Sequence, residues 1–118
     1  MTREEFRART KSYALRVIKL VDALPHDTVA KTLGHQLLRS GTSVGANYRA
    51  SIRARSRADF IAKMGIVEEE CDESLYWMEL LIESGRMKPD RLSDLQREGG
   101  EILAITVASI KTARRGTL

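Results

Sequence analysis

Along most of the chain, apolar residues recur at alternating spacings of three and four, the period of one face of a helix. The longest run occupies 56–85, where Ile61, Met64, Glu68, Cys71, Leu75, Met78 and Ile82 share a heptad-like stripe. Ser56, three residues before Asp59, has the spacing of a capping box with Asp in place of Glu or Gln. Gly85 suits the left-handed turn that stops a helix. The pattern predicts a helix over 57–84.

A first helix is predicted over 3–24. Phe6, Thr10, Tyr13, Val17, Leu20 and Leu24 form its stripe, Ala14, Ile18 and Val21 widen it, and Pro25 stops it. Asp27 or Thr28 suits the N-cap of a second helix over 28–51, which carries Val29, Leu33, Leu37 and Val44 inward. Gly41 and Gly45 fall inside that helix, where each costs roughly 1 kcal/mol relative to Ala in an isolated helix. Close approach of a neighbouring backbone is the simplest compensation. A fourth helix over 89–114 starts at Pro89, a residue favoured in the first helical turn. Leu92, Leu95, Gly99, Ile102, Thr106, Ser109 and Ala113 form one seam along it, with Leu103, Val107 and Ile110 beside them. So broad a face argues for burial against a second subunit. The last residues, 114–118, look frayed.

Four helical patterns predict an all-α fold, an up-down four-helix bundle in a single domain over 1–118. The length suits one modest core, and an aromatic content of 5% means that the core leans on aliphatic side chains. The single cysteine, Cys71, has no internal disulfide partner, which fits a reducing compartment. The charged N-terminus lacks the apolar core of a signal peptide. The longest mostly apolar run, 102–110, is about half of the ~20 residues needed to span a bilayer. A soluble, cytoplasmic protein without a membrane partner is expected.

Charge is distributed unevenly. Residues 1–63 carry thirteen Lys or Arg against five acids, and residues 64–118 carry seven against eleven. Arg49, Arg53, Arg55 and Arg57 fall within nine residues, where the second and third helices join. A cluster of this kind suits the phosphates of RNA or DNA, with an acidic protein partner or a solvated face as the alternatives. No aromatic interleaves these arginines, and Tyr48 is a core candidate, so base stacking is not expected.

The remaining polar residues point to structure rather than to catalysis. Glu70, Glu73 and Trp77 share one side of the third helix, and Arg39 of the second is the best candidate to pair with Glu70 or Glu73. These four are the candidate polar core, and Trp77 is expected to anchor the interior. A carboxylate-bridged di-metal bundle requires Glu-x-x-His pairs, and neither His26 nor His35 lies three residues after a Glu. Cys71, between Glu70 and Asp72, is a core thiol rather than a thiolate nucleophile. No metal, no cofactor and no enzymatic activity are expected.

Three stretches carry a resemblance: 36–47 (Gln-Leu-Leu-Arg-Ser-Gly-Thr-Ser-Val-Gly-Ala-Asn), 56–64 (Ser-Arg-Ala-Asp-Phe-Ile-Ala-Lys-Met) and 70–77 (Glu-Cys-Asp-Glu-Ser-Leu-Tyr-Trp). In this order they resemble the bacterial four-helix-bundle family first noticed as reading frames within intervening sequences of 23S ribosomal RNA genes. The resemblance spans about residues 6 to 112. It implies an up-down bundle assembling as a ring-like homopentamer, with a nucleic-acid role suspected for the family. In a pentamer the four arginines would be repeated around one rim. The expected function is therefore non-enzymatic: a nucleic-acid-binding or adaptor module, or alternatively a structural protein that docks an acidic partner. Many members look acidic after the position of Asn47, whereas this chain has Arg49 and a basic connection.

Overall fold

The structure, a computed structural model, describes residues 1–116. Four helices follow one another: α1 (Arg3–Asp22), α2 (Thr28–Ser51), α3 (Arg57–Glu83) and α4 (Pro89–Arg114). Among the described residues there is no strand. Each helix packs on its neighbour in the chain, α2 on α3 most extensively, and α1 closes the bundle more sparsely against α4. The result is a rod of 47 × 21 × 20 Å. No helix among the described residues is long and apolar enough to cross a membrane. Of the stretch expected to fray, Arg114 closes α4, and residues 117 and 118 lie outside the described residues.

The helix ends follow local chemistry. Asp27 caps α2 by accepting the Ala30 N–H at 3.0 Å. Ser56 caps α3 by accepting the Asp59 N–H at 3.0 Å, but the Asp59 carboxylate accepts from Arg55 N–H, one residue earlier than a full capping box requires. After α3, Gly85 has φ 78°, and the bonds Gly85 N–H to Ile82 O and Arg86 N–H to Leu81 O form a Schellman turn. α1 ends two residues short of the expected boundary, with Ala23 as its C-cap.

The glycines of α2 let α1 come close. A Cβ on Gly41 would stand 2.9 Å from both methyls of Val17, and one on Gly45 would meet the Thr10 backbone at 3.4 Å. The compensation expected for these residues is therefore physical contact between the two helices. α2 remains helical through both of them.

Three expectations about inward faces are corrected. On α3 the central positions Met64, Cys71 and Met78 are buried, but their companions are Val67, Ser74 and Leu81, not Ile61, Glu68, Leu75 and Ile82. α2 covers that flank, and polar Ser74 is accommodated because it donates to Cys71 O at 2.7 Å and pairs with the buried Tyr13 hydroxyl at 2.8 Å. Glu68 sits half-buried at the edge of the stripe. Val29, expected to point inward, is 41% exposed, because Ala30 takes the inward position in that turn. On α4, Ile110 replaces Ser109 in the buried seam and Leu103 packs against the core of its own chain. The second seam is thus largely used internally. Large exposed apolar residues occur on α1 (Leu15, Ile18) and α3 (Ile66, Tyr76) instead.

Candidate nucleic-acid interface

The up-down path brings the start of α1, the end of α2, the start of α3 and the end of α4 to one end of the rod. Ile52 caps α2, and the backbone turns sharply through bonds from Arg53 N–H to Ala50 O and from Ala54 N–H to Ser51 O. Arg49 lies in the last turn of α2, Arg53 and Arg55 in the connection, and Arg57 on the first residue of α3. All four are exposed.

Among the described residues, none of the four makes a side-chain hydrogen bond or an ion pair. Three acids among the described residues stand near this end: Glu4 lines a cleft with Arg49 without pairing to it, Glu5 accepts from the Thr2 hydroxyl, and Asp59 is already engaged. Its carboxylate pairs with Lys63 Nζ at 2.9 Å and accepts the Arg55 N–H, and Lys63 above all holds its pKa below the ordinary Asp value. Arg49 complements the negative end of the α2 dipole, whereas Arg57 opposes the positive end of α3. The local charge excess is therefore left for solvent or a partner.

Two features of this end escape a linear reading. Arg3, Arg114 and Arg115 arrive from the chain termini: a Cβ on Gly116 would stand 2.6 Å from Arg57 Nη1, so the end of α4 lies beside the connection. The arginines also have aromatic neighbours. A cleft of about 150 Å³ is lined by Arg3, Phe6, Tyr48 and Phe60 together with Ile105 and Ser109. A second cleft of about 220 Å³ runs along the connection and shares Arg3 and Phe60 with the first, with Arg57 on its wall. Phe6 and Tyr48 meet edge to face with centroids 4.7 Å apart, and burial raises the Tyr48 pKa against the opposing pull of Arg3. Helical geometry was the available signal: Phe60, Val67 and Ser74 lie on one flank of α3, so Phe60 points toward the end of the core.

Arg39, Glu70, Glu73 and Trp77 do come together, but on the outside of the α2–α3 seam. Arg39 Nη1 lies 3.2 Å from Glu70 Oε2, its Nη2 pairs with Glu73, and Trp77 Nε1 donates to Glu73 Oε1 at 3.2 Å. Arg39 remains 45% exposed and Trp77 half-buried. The expectation of a polar core with Trp77 as interior anchor is corrected: Met78 and Leu81 occupy the interior there. A second clasp, absent from the sequence reading, joins α1 to α4. Arg9 Nε and Nη2 hold Glu98 at 2.7 and 2.8 Å, and Nη2 also reaches Glu101. The Arg9 hydrogen bond is the main reason that the Glu98 pKa lies below its ordinary value. Cys71 is buried and donates to Gly99 O at 3.3 Å, and burial, aided by Asp72, pushes its thiol up to about 12.

These features define an all-α, four-helix protein with an unneutralised basic end. Its sequence matches the family model of the 23S rRNA-intervening sequence protein over residues 4–108. The chain belongs to that family. It is also similar, at 34% identity, to a protein of unknown function from the S23 ribosomal protein family of Bacteroides thetaiotaomicron VPI-5482, whose crystal structure is known. That match covers 95% of this chain and 100% of the other, with a TM-score of 0.88. No curated protein matches the chain.

Proposed function

We propose that this protein is a non-enzymatic nucleic-acid-binding module, acting through the basic rim formed by Arg49, Arg53, Arg55 and Arg57. The observation that carries the reading is that four exposed guanidinium groups gather at one bundle end without an internal counter-ion. Phosphates satisfy several such groups at once, and release of their counter-ions supplies affinity that is independent of sequence. The groups suited to chemistry are engaged elsewhere. Glu70 and Glu73 pair with Arg39, and the Cys71 thiol is buried and protonated at neutral pH.

A homopentameric ring extends this reading. Leu15 and Ile18 are 58% and 41% exposed on α1, and Ile66 and Tyr76 are 42% and 51% exposed on α3. α1 and α3 are diagonal in the bundle, so the two patches face opposite ways. The α1 patch has Lys11 and Lys19 beside it, and the α3 patch has Glu69 and Asp72. Contact between unlike faces propagates head to tail and closes into a ring when the rotation allows. A ring would gather the basic ends of all copies on one rim, and light scattering is expected to give the mass of five protomers.

Replacing the four arginines by Gln tests the function. The variant is expected to keep its fold and oligomeric state while losing affinity for RNA and DNA of any sequence. The slope of log affinity against log salt should flatten by roughly 0.7–0.9 for each phosphate contact removed. Wild-type affinity in the variant would rule out the rim. Failure of wild type to bind any strand at low salt, with retention of an acidic protein that the variant loses, would establish the docking alternative.

A further inference from the structure

We propose that the cleft between the start of α1 and the start of α3 receives one unpaired base of a bound strand, so that the basic end selects single-stranded over duplex nucleic acid. The proposal rests on the phosphate-binding reading above and gives it a substrate class.

The cleft combines three elements that a nucleotide uses. Phe60 is half-buried and belongs to both adjoining clefts, so part of its ring remains accessible between them. An accessible ring beside cationic groups is the platform on which bases stack in single-strand binding proteins. Arg3 also belongs to both clefts, Arg57 lines the second, and Arg53 lies on the connection between α2 and α3, so the phosphates flanking a seated base meet guanidinium groups.

Tyr48 supplies the third element, a polar group that opens onto the cleft. It is only 5% exposed, and its hydroxyl makes no hydrogen bond within the described residues. No side-chain oxygen or nitrogen that is fully sealed from solvent lacks a partner among the described residues, so the Tyr48 hydroxyl is reached from outside. The opening that Tyr48 lines is this cleft. A phenolic hydroxyl there both donates and accepts, matching the mixed donor and acceptor edge of an unpaired base. In a duplex that edge is occupied by the complementary strand and the base faces are covered by stacking. A duplex therefore offers this end only its phosphates.

The test compares fluorescence anisotropy of three labelled probes at low salt: oligothymidine, a strand of equal length whose residues are abasic, and a duplex of equal length. Oligothymidine is expected to bind about ten-fold or more tightly than the abasic strand, the scale of a single base–aromatic stack. Tyr48→Phe removes only the unpartnered hydroxyl, and Phe60→Leu retains apolar bulk without the stacking face. Each is expected to lower affinity for oligothymidine while leaving the abasic strand unchanged, with unaltered thermal melting as the control for folding. Equal binding of oligothymidine and the abasic strand by wild type would overturn the cleft and leave the phosphate reading standing. Equal weakening of both probes by Tyr48→Phe would overturn it too. Absence of binding to all three probes would remove the phosphate reading along with it. If a Tyr-containing acidic peptide binds wild type but not Tyr48→Phe, and oligothymidine has no advantage, the cleft belongs to a protein ligand and the proposal is wrong.

Discussion

Replacing Gly41 by Ala sets two opposing effects against each other, and the structure decides between them. In an isolated helix the change stabilises by roughly 0.5–1 kcal/mol, because Ala loses less backbone freedom than Gly. At Gly41 the new methyl would stand 2.9 Å from Val17 Cγ1, 2.9 Å from Cγ2 and 3.2 Å from Cβ. Rotating Val17 about χ1 leaves the Cβ contact in place, and Val17 is fully buried in one of the stiffest side-chain types. Separation of α1 from α2 is the remaining relief, and overpacking of this kind costs about 1–3 kcal/mol. The net expectation is a destabilisation of roughly 1 kcal/mol. Gly65 in α3 is the control: a Cβ there meets nothing within 4 Å, so Gly65→Ala keeps the full propensity gain.

Urea denaturation followed by circular dichroism at fixed protein concentration gives both values. The two variants should differ by about 1–3 kcal/mol, with opposite signs relative to wild type. A double-mutant cycle sharpens the test. In a Val17→Ala background the two 2.9 Å methyl contacts are gone and only the milder 3.2 Å contact to Cβ remains, so Gly41→Ala loses most of its penalty, and a coupling energy of about 1–3 kcal/mol results. If Gly41→Ala proves as stable as Gly65→Ala, the close approach of α1 and α2 is not a feature of the folded protein, and this account of the α2 glycines fails.

Other expectations follow from the same packing. Trp77→Ala should cost about 1–2 kcal/mol, less than the 3–5 kcal/mol of a fully buried aromatic, because the indole is half-buried; thermal unfolding measures it. Glu98, Asp27 and Asp59 all have depressed folded-state pKa values, so their contribution is complete above the ordinary carboxylate range and is lost as pH falls through the lowered values. The melting temperature should therefore fall from about pH 6 to about pH 3, and Arg9→Gln should remove the part of that fall due to Glu98. The four-arginine Gln variant is expected to melt at a higher temperature than wild type at low salt, and the difference should shrink as salt is added.

Helix existence and most helix ends were legible because caps, prolines and glycines act locally. Which flank of α3 is buried was not, because Leu75 and Ile82 look better suited to a core than Ser74. Ser74 reaches the interior through hydrogen bonds to Cys71 O and Tyr13, and a partner on another helix leaves no mark in local periodicity. The same displacement hid Phe60, whose orientation depends on that flank. Arg39 was legible as a partner of Glu70 or Glu73, since they sit on facing helices, and the structure gives it both. Their exposure was not, since it depends on how far the seam between α2 and α3 closes around them. The basic connection stood out in the sequence, whereas the contribution of Arg3 required the topology that returns α1 to the same end.

The contrast in how charges are partnered gives the basic end its meaning. Along the body of the rod, acids and bases are matched across helix seams: Arg9 with Glu98 and Glu101, and Arg39 with Glu70 and Glu73. Near the other end Arg86 meets Asp27. At the basic end Asp59 is taken by Lys63 within its own helix, and Glu4 and Glu5 of the first turn of α1 form no ion pair with the four arginines among the described residues. Arg57 also faces the positive end of a helix dipole, an arrangement that opposes stability by about 0.3–1 kcal/mol at low ionic strength. Folding alone gives no reason to concentrate charge in this way, since the same residues distributed along the rod would repel less. A ring would bring further copies within a few Debye lengths of one another and strengthen the repulsion. An anionic ligand would offset each of these terms at once, and this is the physical ground on which the phosphate-binding proposal rests.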